Sequence, residues 1–400
     1  MKKSYYKKPN FLAYLFFRSI GKFVSKVTLK TKVLRNELKG VHGPAVVLMT
    51  HESGLDHCCL SLITKRRLTF VISESLYNTT KFFRLFKLLH TVNKKQFRTG
   101  IDDIKEMKAV IENNGCLVIF PAGVCTACGT NTDLPSATGK FLKFLGTDVY
   151  IAKLNGVYLS NPKWSDIKRR GITEIDIYKL ISAEKLKERS QEDLYKLVDE
   201  ALKYDEYEWQ ENKMVKFRNG ENVVGLENVL YSCPCCKAFG SISCKGKDTL
   251  FCEKCGYEEK ADEYCMLHKI SKNGNEIKHI SDWAVIIRDE LKERIRNDNN
   301  FKYEIDGEIR SLNIKKHQYE VIGDGKVTFD KNRIILTNKN GDILFNESTL
   351  SFISIPSIPG KFMDLQYVGG IFRFYPHNGK DVQSFVDSVN AISELHKENN

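Results

Sequence analysis

A chain of 400 residues exceeds the ~250–300 residues at which a single hydrophobic core stops growing, so two or three separately cored domains are expected. Hydrophobic residues make up 42% and charged residues 28%, ordinary globular values that argue against wholesale disorder and against a multi-span membrane protein. The net charge is +12, yet roughly +15 falls in the first ~110 residues, so the basic part faces a partner of its own: anionic lipid, nucleic acid or a phosphorylated substrate.

The N-terminal arm, residues 1–36, interleaves Lys2, Lys3, Lys7, Lys8, Arg18, Lys22, Lys26 and Lys30 with Tyr5, Tyr6, Phe11, Tyr14, Phe16, Phe17 and Phe23. That is the composition of a helix lying on a membrane, aromatics at headgroup depth and cations against anionic lipid; the alternative is an amphipathic helix packed on its own domain. The apolar run Phe11 to Phe17 ends at Arg18, far short of the ~20 residues needed to span a bilayer. Ala45 to Thr50, bounded by Gly43-Pro44 and His51, reads as a buried strand. A helix over Ile101 to Glu112 leads to a second strand, Gly115 to Phe120, and then to Pro121-Ala122-Gly123; a third strand runs from Asp148 to Leu154. This alternation predicts an α/β domain over 37–215, a mixed sheet with flanking helices whose strand ends carry the site.

After about Trp209 the chain reads as a polar linker, followed by a cysteine-dense segment at 228–262, a helical linker at 263–300 with its helix over Ser281 to Arg296, and a β domain at 301–398. In that last part short segments alternate (Ile309 to Ile314, Tyr319 to Ile322, Lys326 to Phe329, Arg333 to Thr337, Ile343 to Phe345, Leu350 to Ile355, Phe362 to Val368, Ile371 to Tyr375). Gly323-Asp324-Gly325 is among the turns separating them, and a helix over Asp381 to Leu395 closes the chain. The pattern resembles a small pleckstrin-homology-like or GRAM-like barrel plugged by its helix.

Cys233, Cys236, Cys252 and Cys255 have the spacing of two knuckles presenting four thiolates to a structural zinc ion, a zinc ribbon. Its few basic residues are balanced by Glu253, Glu258 and Glu259, so nucleic acid is a poor partner and a staple or protein-docking role is expected. Cys235, Cys244 and Cys265 are left over, and Cys58, Cys59, Cys125 and Cys128 are read as small buried cysteines. With no cleavable signal peptide and metal-type CxxC pairs among twelve cysteines, the expected home is the cytoplasm, on the inner face of a membrane.

Acyl transfer from a thioester to an alcohol needs a base for the hydroxyl proton and a group to orient that base. His51 and Asp56, five positions apart across a strand-to-helix turn, supply both residue types, although a loop histidine and a helix cap would look the same in isolation. Taken with three further blocks, the sequence resembles the glycerolipid acyltransferase family typified by 1-acylglycerol-3-phosphate acyltransferase. Thr50 to Asp56 is similar to its NHxxxxD block, Phe97-Arg98 to its arginine block, Phe120-Pro121-Ala122-Gly123 to FPEG, and Val149 to Ala152 to its hydrophobic block. The resemblance implies His51 as general base, Asp56 as its partner, Arg98, Phe120, Pro121 and Gly123 as substrate-binding residues, and acyl-CoA or acyl carrier protein as donor. Where the family has FPEGTR this chain has Ala122 and Cys125, so the Glu and Arg that grip glycerol phosphate are absent and the acceptor is open. A catalytically retired lipid-binding or scaffolding protein is the alternative.

Overall fold

Ala45–Met49 is apolar and buried at every position, as a strand covered on both faces requires, and it forms the central β2 of a seven-stranded mixed sheet. The other strands are β1 (Lys32–Asn36), β3 (Thr69–Ser73), β4 (Val92–Lys94), β5 (Cys116–Ile119), β6 (Asp148–Asn155) and β7 (Glu174–Ile181), in the order β1-β7-β6-β2-β5-β3-β4. β2 is parallel to both neighbours, with Val47 opposite Val118 and Tyr150, while β7 runs antiparallel to β6. Alternate residues feed two cores. Ala45, Val47 and Met49 meet Tyr14 of helix α1 (Phe11–Phe23) and Cys59, Leu60 and Ile63 of helix α2 (Asp56–Ile63); Val46 and Leu48 meet Met107, Val110 and Ile111 of the helix Ile101–Glu112.

The computed structural model describes residues 6–79, 82–94, 100–218, 221–352 and 354–398. Two compact units emerge: Met1–Pro162 with Arg169–Phe217, and Lys163–Lys168 with Arg218–Asn400. The polar linker expected after Trp209 is instead the end of the first unit. The helix Glu206–Lys213 continues through it, and Phe217 is fully buried with its ring against Gly171, where an added Cβ would lie 2.2 Å away.

In the second unit, β8 (Ile242–Lys245), β9 (Thr249–Cys252), β10 (Glu258–Ala261) and β11 (Leu267–Lys269) form an antiparallel sheet ordered β11-β10-β9-β8. Residues 263–300 are more than a linker, since they supply β11 and the helix Ile280–Asn297, whose Trp283 is buried, donates its indole N–H to the Ser232 carbonyl (2.9 Å) and meets Tyr257 edge-on. The C-terminal part is a seven-stranded antiparallel sheet: β12 (Lys302–Asn313), β13 (Gln318–Asp330), β14 (Arg333–Asn338), β15 (Ile343–Ser348), β16 (Ser357–Ile358), β17 (Phe362–Tyr367) and β18 (Gly370–Pro376), ordered β15-β14-β13-β12-β18-β17-β16. Its inner face packs on Val382, Phe385, Val389 and Ile392 of the helix Lys380–Glu398.

Two expectations are corrected here. Tyr319 to Ile322 and Lys326 to Phe329 are one strand, β13, running straight through Gly323-Asp324-Gly325. Gly323, at φ +134°, sits at the register shift beside Ile309 and Arg310, and a Cβ on Gly325 would lie 2.2 Å from the Thr337 carbonyl oxygen; the glycines mark a bulge and a close strand approach, not a turn. Among the described residues of Leu350 to Ile355 there is no strand: Thr349–Ser351 form a 3₁₀ turn, and the apolar spacing serves Phe352 and Ile355, which enter the core.

Candidate active site and metal centre

β2 ends at Met49 and α2 begins at Asp56, so the chain between them must turn sharply above the sheet. Asp56 closes that turn: its carboxylate accepts from the backbone N–H of Glu52 (2.8 Å) and of Ser53 (3.0 Å), the anion-at-helix-start arrangement that the helix dipole favours. The same carboxylate lies 2.9 Å from His51 Nδ1. A carboxylate only accepts, so Nδ1 donates to Asp56, and in the neutral ring it is Nε2 that carries the lone pair. Asp56 is 1% exposed and the His51 side chain 20%, so the ring faces outward from a dry anchor.

The loop after β5 supplies the rest. Because β5 lies parallel and next to β2, their C-terminal ends emerge side by side. Phe120 packs against His51 with centroids 4.4 Å apart and planes tilted by 31°. Pro121 and Gly123 make the following turn, closed by Gly123 N–H to the Phe120 carbonyl (3.0 Å), with Gly123 at φ +71°. Thr126 N–H then bonds the His51 carbonyl (3.0 Å), tying the loop back to β2. Cys125, expected as a small buried residue, is half-buried, with Sγ 3.4 Å from Nδ1 and 3.5 Å from Nε2 of His51; sequence reasoning missed it because the closeness arises from strand register. Cys58 and Cys59 are buried, as expected. Arg98 and Phe97 lie outside the described residues.

A second layer of acids lies beneath, unmarked by any motif. Glu52 accepts from the Thr50 hydroxyl (3.2 Å) and Tyr158 N–H (3.3 Å), and Glu206 accepts from Gly156 N–H. Burial raises both carboxyls, Glu206 to about 8 and Glu52 well above the ordinary range, with Glu206 and Asp56 adding repulsion at Glu52. For His51, burial works downward, but Cys125 and Asp56 outweigh it and lift the imidazole to about 10. Burial holds His57 down at about 4, neutral and stacked on Phe17.

In the second unit, the sulfur atoms of Cys233, Cys236, Cys252 and Cys255 all lie within 4.8 Å of one another, with Cys233–Cys255 and Cys236–Cys252 both at 3.7 Å. Sulfurs at tetrahedral corners ~2.3 Å from a zinc ion stand ~3.8 Å apart, so the set fits that ion. The two knuckles match: Lys237 N–H bonds the Cys233 carbonyl and Gly256 N–H the Cys252 carbonyl, both residues at positive φ. Cys235 stands outside the cluster near Asn273, and Cys244 donates to Glu227 (2.7 Å).

Residues 26–153 match the family model described as Acyltransferase, a span that includes His51, Asp56, the Phe120–Gly123 turn and Val149 to Ala152. Among solved structures the chain is similar to the 1-acyl-sn-glycerophosphate (LPA) acyltransferase PlsC from Thermotoga maritima, at 18% identity and a TM-score of 0.42, covering 50% of this chain and 81% of that one. It is also similar to the Ran binding domain of the nuclear complex component Nup2 from Ashbya gossypii, at 14% identity and a TM-score of 0.21, covering 23% of this chain and 92% of that one. The comparison with curated proteins finds no match.

Proposed function

We propose that this chain is a membrane-peripheral O-acyltransferase that moves a fatty acyl group from acyl-CoA or acyl carrier protein to a lysophospholipid-like or other hydroxyl acceptor. The observation that carries the reading is the His51–Asp56 pair at the end of β2: Asp56 fixes the tautomer, and Nε2 is the atom that takes the acceptor's proton. The family match over residues 26–153 supports it. Ala122 and Cys125 leave the third block without a carboxylate or cation, so a phosphate grip, if the acceptor has a phosphate, falls to Arg98 or to another cation of the basic half.

Membrane association rests on α1. Its inner side buries Tyr14 and Gly21, whereas its outer side leaves Phe11 63%, Leu12 72%, Phe16 59% and Phe23 63% exposed, flanked by Lys22 and Lys26. An apolar stripe edged by lysines is complementary to an anionic bilayer surface. Among the described residues no helix is long and apolar enough to cross a membrane. On this reading the four cysteines hold a structural zinc ion, and the C-terminal sheet with its single helix is a pleckstrin-homology-like or GRAM-like domain offering a surface to a lipid or protein partner. The reading places the protein on the cytoplasmic face of a membrane.

The test is thiol release from palmitoyl-CoA and from palmitoyl-acyl carrier protein in the presence of total membrane lipid. Wild type sustains thiol release over many turnovers only with lipid present, and His51→Ala does so about 100- to 10,000-fold more slowly. Equal release by the two proteins would favour a lipid-binding role on this fold instead.

A further inference from the structure

Cys125 is the one nucleophile among the described residues that touches His51, and nothing in the O-acyltransfer scheme above uses it. Its sulfur lies over the ring, 3.4 Å from Nδ1 and 3.5 Å from Nε2; Nδ1 is committed to Asp56, so a rotation of the thiol towards the edge of the ring brings its proton to Nε2. The thiol is half-buried and reachable, and the bond from Thr126 N–H to the His51 carbonyl holds the next residue of its loop against the base. Nucleophile, base and orienting carboxylate are thus in sequence of contact, the arrangement that activates thiols and hydroxyls for covalent catalysis.

We propose that Cys125, His51 and Asp56 form a nucleophilic triad and that the acyl group passes through a thioester on Cys125 before reaching its acceptor. The inference rests on the acyl-transfer reading of this site. In the first half-reaction the Cys125 proton moves to His51 Nε2 and the thiolate attacks the donor thioester carbonyl. The donor's C–S bond breaks, and the departing thiolate takes the proton from His51, leaving acyl-Cys125 and a free donor thiol. In the second half an acceptor hydroxyl gives its proton to Nε2 and its oxygen attacks acyl-Cys125. The C–S bond then breaks, and the proton returns to the Cys125 sulfur. The first exchange swaps one thioester for another, and the second forms an ester from a thioester.

The experiment mixes protein with palmitoyl-CoA and no acceptor, quenches in acid, and reads intact mass and the modified peptide. Wild type gains one palmitoyl group on the Cys125 peptide, removable by neutral hydroxylamine. Cys128→Ala gains it too, and His51→Ala gains it about 100-fold more slowly. Cys125→Ala gains none, and the near-isosteric Cys125→Ser, which preserves the local packing, carries at most a hydroxylamine-stable ester. With lipid added, Cys125→Ala loses thiol release by about 100-fold or more. Undiminished lipid acylation by Cys125→Ala and Cys125→Ser overturns the covalent route and leaves direct O-acyltransfer standing. An adduct on Cys125 without any lipid product supports the covalent step and contradicts the acceptor class. Neither adduct nor product in wild type overturns both.

Discussion

The two clusters of reactive side chains in this protein are assembled in opposite ways. The four-cysteine cluster draws Cys233 and Cys255 from positions only 22 apart, on two knuckles of the same design, beside a small sheet of four short strands. The strand-end site joins His51 to Cys125 across 74 positions, and only the parallel register of β2 and β5 makes them neighbours. Local spacing suffices to gather four thiols within reach of one metal ion, whereas the His51–Asp56–Cys125 cluster borrows its geometry from a sheet covered on both faces.

That contrast can be broken experimentally, and metal removal should have the largest effect. Structural zinc contributes on the order of 10 kcal/mol in isolated zinc fingers, so a chelator should abolish hydrogen-exchange protection in β8–β11 while leaving β2, β5 and β6 protected. Loss of protection in both sheets together would deny their independence. Cys252→Ala should lose stoichiometric zinc, and retained metal would contradict the four-ligand set.

A smaller effect is expected at α1, where the inner and outer sides differ as sharply as the two clusters do. Replacing Leu12 and Phe16 together by Asp removes two exposed apolar anchors worth up to ~2 kcal/mol each and adds two negative charges, so affinity for vesicles rich in phosphatidylserine should fall at least about 100-fold in a sedimentation assay. Unchanged binding would place the membrane contact elsewhere.

The smallest effect sharpens the picture beneath His51. Glu206 is held protonated in the folded protein, its value raised from the usual carboxylate range to about 8 chiefly by burial. The unfolded chain gives up that proton first, so the stabilisation is complete below ~4.5 and is lost progressively as pH rises towards 8. Glu206→Gln, which keeps an uncharged group of the same shape, should flatten the fall in Tm between pH 5 and pH 8, by about 2–4 °C for each kcal/mol recovered. A Tm profile parallel to wild type would show that Glu206 is ionised across that range.

Much of this architecture was legible in the sequence wherever one face or one spacing was under a single constraint. The helix over Ile101–Glu112 was expected with those same bounds, and the strand before His51 ended one residue from its observed limit, because unbroken apolar runs and periodic stripes follow directly from burial. The cysteine spacing was legible for the same reason. What escaped was set by pairing. β13 hid behind Gly323 and Gly325, which mimic a turn when the opposing strands are unseen. Cys125 looked like filler in a loop until β5 brought it to His51, and Glu52 and Glu206 carry no motif, since a protonated buried acid has the same letter as a solvated one.

The most direct test of the central claim compares transfer of radiolabelled palmitate from palmitoyl-CoA to membrane lipid by wild type, His51→Ala and Asp56→Asn. The account predicts that wild type forms labelled lipid and that each variant falls by about 100-fold or more while remaining folded, because one lacks the base and the other no longer fixes its tautomer. Transfer by both variants at the wild-type rate would contradict it.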